Sequence, residues 1–123
     1  MHQSRPKNLN LFTIHFPLPA IISILHRLSG AFLFLLIPFM LWGLESSFYL
    51  EGFDRIYAWA TTGWVRFITW LIFMPFCFHL VAGIRHLLMD AQVGTTLKSG
   101  RLSAQLTLAI SIILVILAGF WLW

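Results

Sequence analysis

Two short stretches place reactive side chains where apolar runs begin or end. SILHRLSG, residues 23–30, carries Ser23, His26, Arg27 and Gly30 at i, i+3, i+4 and i+7, and HLVAGIRHLLMD, residues 79–90, carries His79, Gly83 and His86 at i, i+4 and i+7. On a helix each set lines one stripe over two turns. An imidazole can ligate a metal or exchange a proton, a hydroxyl can donate to a carbonyl, and a guanidinium can meet a carboxylate or a developing anion. At membrane depth such groups face protein or ligand, because facing lipid is costly.

A glycine one turn from His79 leaves space beside the imidazole through which a flat, bulky ligand such as haem could approach the helix. The same spacing suits a histidine that hydrogen-bonds a neighbouring helix above a glycine that permits close packing, so spacing alone leaves both readings open. Two histidines seven residues apart are about two turns apart, too far to grip one iron from both faces. A bis-histidine haem therefore needs a ligand from another helix, either His26 of this chain or a residue of a second subunit. His79 is the one histidine deep in an uncharged stretch, which favours the second subunit and a hetero-oligomer. Arg85 and His86, at the end of that stretch, are expected to snorkel or anchor to headgroups. Pro38 and Pro75 each remove an intrahelical hydrogen bond and are expected to kink their helices, Pro75 possessing the position, one turn before His79, to open room for a ligand.

The elements that must hold these residues follow from composition. A chain of 123 residues that is 59% hydrophobic, 16% aromatic and only 10% charged is that of a membrane protein. Leu28–Leu44, Phe67–Ile84 and Leu102–Trp123 contain no Asp, Glu, Lys or Arg, and each can cross a hydrocarbon core of roughly 30 Å. Since lipid satisfies no backbone groups, these runs read as helices. The expectation is an all-α membrane protein with an arm over 1–20 and a transmembrane domain over 21–123, its spans at about 21–46, 62–90 and 102–123. Arg5, Lys7, Pro6, Pro17 and Pro19 make the arm polar, with no cleavable signal peptide evident. Cys77 has no partner cysteine in the chain, so a free thiol is expected.

Arg5, Lys7, Arg27, Arg85, Lys98 and Arg101 gather on one side of this plan, against Arg55 and Arg66 on the other. That asymmetry predicts a cytoplasmic N-terminus and second loop, with the C-terminus outside. Orientation accounts for the net charge of +4 without nucleic acid. Tryptophans 42, 59, 64, 121 and 123 fit an interfacial belt. The spans hold no Asp or Glu, which argues against a small multidrug or ion transporter dependent on a deep acid.

RPKNLNL (5–11), SILHRLSG and HLVAGIRHLLMD, in that order, resemble the cytochrome b membrane-anchor subunits of bacterial succinate dehydrogenase, respiratory complex II. The likeness covers nearly the whole chain. It implies a heteromeric, haem-binding helix bundle in the bacterial cytoplasmic (inner) membrane, assembled with a second anchor, an iron–sulfur subunit and a flavoprotein subunit. It makes His79 an axial ligand of haem b iron, with the other axial histidine on the second anchor. It puts His26 and Arg27 at the haem propionates and Ser23 and Arg27 at the ubiquinone head group. Flavin and iron–sulfur chemistry fall to partners, since this chain has one cysteine and no dinucleotide fingerprint. Quinol–fumarate reductase, which runs the same chemistry in reverse, and a purely structural anchor without haem are the rival readings.

Overall fold

The computed structural model describes residues 16–123; the arm motif RPKNLNL, with Arg5 and Lys7, lies outside the described residues. Four helices follow in order: α1 Leu18–Ser47, α2 Gly52–Ala60, α3 Gly63–Asp90 and α4 Leu97–Leu122. Helices α1, α3 and α4 are each long and apolar enough to cross a membrane, which bears out the three expected spans and the all-α class. At 30 residues, α1 would be about 45 Å long, well beyond the hydrocarbon core, so its ends reach the interfaces. Both α1 and α3 continue through their internal prolines, Pro38 and Pro75.

Two boundaries and one additional helix differ from expectation. Helix α1 begins at Leu18, so Pro19 belongs to its first turn and not to the arm; proline is tolerated there because the first amide groups have no partner within the helix. Helix α4 begins at Leu97, five residues before the uncharged run. Thr96 caps it, its side chain accepting from the Ser99 amide at 3.2 Å, and the charges of Lys98 and Arg101 occupy the first turns, at the end of the span. Helix α2 was not expected. Gly52 opens it against the end of α1, where a side chain would run into the Ser46 carbonyl, and Phe53 stacks on Tyr57 one turn later at 6.3 Å. Between α3 and α4 the chain turns through Gln92 and Gly94, both at positive φ, with the Val93 amide donating to the Leu88 carbonyl at 2.9 Å.

Helix α3 packs against α4 and α1, and α1 also meets α4. Their common core joins Ile22 of α1, Ala82 of α3 and Ala104 of α4, with Leu18, Phe78 and Leu108 packed around it. The buried face of α4 is built from small residues, Ala104, Thr107 and Ser111, which lets backbones approach closely. The hydroxyls of Thr107 and Ser111 donate back to carbonyls four residues earlier at 2.9 and 2.7 Å, so neither meets the apolar core unpaired. At the far end of the bundle Trp70 of α3 donates its indole N–H to the Val115 carbonyl of α4 at 2.9 Å, its ring lying over Gly119.

Candidate functional site

The α1–α3 contact brings three imidazoles into a row. His26 stacks face to face on His79, ring centroids 4.2 Å apart and planes 9° from parallel, and its other neighbour is His86, at 4.9 Å and 45°. The glycines make this possible across the interface. A Cβ at Gly83 would lie 3.4 Å from Nε2 of His26, and one at Gly30 would lie 2.8 Å from Cε1 of His79. The space beside each glycine thus receives the other helix's histidine, so Gly83 serves close helix packing, one of the two roles that spacing left open for it. Of the α1 stripe, Ser23, His26 and Gly30 are half-buried and Arg27 is exposed.

His79 is held through one nitrogen. Its Nδ1 lies 3.0 Å from the Ser29 hydroxyl and 3.1 Å from the His26 carbonyl oxygen, and that same carbonyl accepts from the Ser29 hydroxyl at 2.9 Å. A carbonyl has no proton to give, so the proton of this contact sits on Nδ1. In the neutral tautomer with the proton on Nδ1, Nε2 has its in-plane lone pair available to a metal. The two readings left open by spacing are therefore compatible: His79 hydrogen-bonds the neighbouring helix and keeps a second nitrogen that could ligate a metal. Ser29, buried at the contact, was missed because it lies off the polar stripe and its partner comes from another helix.

Beside His79 an apolar groove of about 560 Å³ opens between α1 and α3, lined by Gly30, Leu33, Phe34, Ile37, Phe73 and Phe76 among others. An apolar groove with an imidazole nitrogen at its wall could accept one side of a flat, apolar ligand such as haem. Stacked face to face, His26 and His79 hold their lone pairs in parallel planes, an arrangement in which the two rings could not grip one metal ion from opposite sides. Pro75 does not line this groove; it lines a separate one with Leu25, Ser29, Phe32 and Phe78.

Arg85 departs from its expected snorkelling. Its side chain is buried, donating from Nε to the Ser103 hydroxyl at 3.0 Å and from Nη2 to the Gly100 carbonyl at 3.3 Å, so it ties α3 to the first turns of α4. His86 is half-buried against His26. Ser29, Ser103, Thr107 and Ser111 each back-bond to a carbonyl three or four residues earlier; among the described residues Ser23 does not. Cys77 is a free, buried thiol.

The family model described as succinate dehydrogenase/fumarate reductase transmembrane subunit matches residues 1–118. The chain is 40% identical to the succinate dehydrogenase cytochrome b556 subunit of Coxiella burnetii over the full length of both proteins. It is 31% identical to the subunit of that name from Paracoccus denitrificans, covering 93% of this chain and 88% of that protein, and 30% identical to the one from Rickettsia prowazekii, covering 95% and 92%. With its three membrane-spanning helices, the chain belongs to the family of succinate dehydrogenase/fumarate reductase transmembrane subunits.

Proposed function

We propose that this chain is a membrane anchor of succinate:ubiquinone oxidoreductase that holds haem b jointly with a second anchor subunit and contributes to the ubiquinone site. The observation that carries the reading is His79, its Nδ1 engaged by Ser29 and the His26 carbonyl and its other nitrogen free to bind iron beside an apolar groove. The name cytochrome b556 on its relatives supports haem b, and their name succinate dehydrogenase supports the direction from succinate to quinone. Bound haem supplies a one-electron redox centre. The iron–sulfur and flavoprotein subunits carry succinate oxidation and deliver electrons to this membrane domain, in the bacterial inner membrane with the α1 N-terminal end cytoplasmic.

This chain's residues bind and orient. His79 ligates iron; His26 and Arg27 meet the haem propionates. Ser23 donates a hydrogen bond to a quinone carbonyl, and Arg27, exposed on the same helical turns, opposes the negative charge that reduction builds on the quinone oxygens.

The test compares succinate-driven ubiquinone reduction with succinate oxidation by an artificial acceptor that bypasses the membrane site. Ser23→Ala should slow quinone reduction roughly two- to tenfold, corresponding to the loss of one neutral hydrogen bond at about 0.5–1.5 kcal/mol. Arg27→Leu should slow it more, since it removes a donor and a charge. The acceptor reaction should hold in both. A parallel fall in both activities, or no fall in either, would sink the quinone-site assignment.

A further inference from the structure

We propose that Ser29 is a positioning residue for His79, fixing which imidazole nitrogen is offered to iron and tuning the electron density of that nitrogen. The proposal rests on His79 being the haem ligand. Ser29 is buried at the α1–α3 contact, and its hydroxyl proton is directed back along its own helix to the His26 carbonyl at 2.9 Å. Its oxygen lone pairs are thereby left to accept from His79 Nδ1 at 3.0 Å. The His26 carbonyl accepts from the same Nδ1 at 3.1 Å, so the N–H is shared between two adjacent oxygens contributed by residues one helical turn apart. Two acceptors define a plane as well as a tautomer and resist rotation of the ring about its Cβ–Cγ bond. Donation from Nδ1 also makes the imidazole more basic, which favours the more oxidised form of a metal on its other nitrogen.

The experiment uses the purified four-subunit complex and reads the haem without turnover, by redox titration of its optical spectrum and by electron paramagnetic resonance of its oxidised form. Ser29→Ala removes one of the two acceptors; the haem midpoint potential should rise and the largest g-value should move from that of the unaltered protein. Ser29→Thr keeps a hydroxyl that can bond back along the helix, and both signals should return toward the original. Should Ser29→Ala fail to assemble, Ser29→Cys, close in size and a weaker acceptor, should shift both signals in the same direction. His79→Ala, run in parallel, separates the role of Ser29 from the ligand assignment. If Ser29→Ala, or Ser29→Cys in its place, has the original potential and g-values while His79→Ala loses the low-spin haem signal, the role of Ser29 is overturned and the ligand assignment stands. If His79→Ala keeps the original signal, the ligand assignment fails, and this proposal with it.

Discussion

A methyl group at position 30 would lie 2.8 Å from Cε1 of His79, too close for the ring to stay where it is. Retreat of the ring would lengthen its bonds to Ser29 and the His26 carbonyl. Gly30→Ala should therefore lower the haem-to-flavin ratio of the purified complex, at a local overpacking cost of about 1–3 kcal/mol; an unchanged ratio would show that the ring does not need this seat. Much of the site at this scale was legible in the sequence. A histidine with a glycine one turn away, on each of two apolar helices, marked His26, Gly30, His79 and Gly83. What spacing could not tell was that each glycine serves the histidine of the other helix, because that pairing exists only once the helices dock. Ser29 and Arg85 escaped for the same reason: their partners, His79 for one and Ser103 and Gly100 for the other, come from different helices. Position near the end of a span predicts snorkelling only when lipid is the sole neighbour, and α4 gives Arg85 a better one.

The elements themselves were read with unequal success. Uninterrupted apolar length located α1, α3 and α4, since in lipid it leaves few alternatives to a helix. It located their ends less well, because a cap such as Thr96 and a first-turn proline such as Pro19 extend a helix into charged or proline-containing sequence at the interface. Helix α2, nine residues long and carrying Asp54 and Arg55, has no such run to mark it in the sequence. How α3 and α4 hold together at the end remote from the histidines was not evident either: Trp70 is one aromatic among many until Gly119 and the Val115 carbonyl meet it. Trp70→Phe keeps most of the packing and loses that hydrogen bond. It should destabilise the α3–α4 pair by on the order of 0.5–1.5 kcal/mol, lowering the detergent-unfolding midpoint of the complex; an equal midpoint would assign the contact to packing alone.

For the whole molecule, large apolar side chains on α1, among them Phe34, Leu35, Phe39, Met40 and Trp42, are exposed in the isolated chain. They are suited to lipid or to a second anchor. Cationic asymmetry predicts the sidedness: reporter fusions should place the 91–96 turn in the cytoplasm and a fusion after Trp123 outside, and an active cytoplasmic reporter at Trp123 would overturn the proposed orientation. In that orientation the histidine row and Arg27 lie toward the cytoplasmic side, where electrons from a soluble iron–sulfur subunit would arrive. Whether this chain supplies one of two axial histidines is read most directly from the spectrum of the haem in the His79→Ala complex. Assembled and purified alongside His86→Ala, the His79→Ala complex should lose its haem or its low-spin bis-histidine spectrum, while His86→Ala keeps the axial ligation. An unaltered low-spin bis-histidine spectrum in the His79→Ala complex would contradict the axial role of His79.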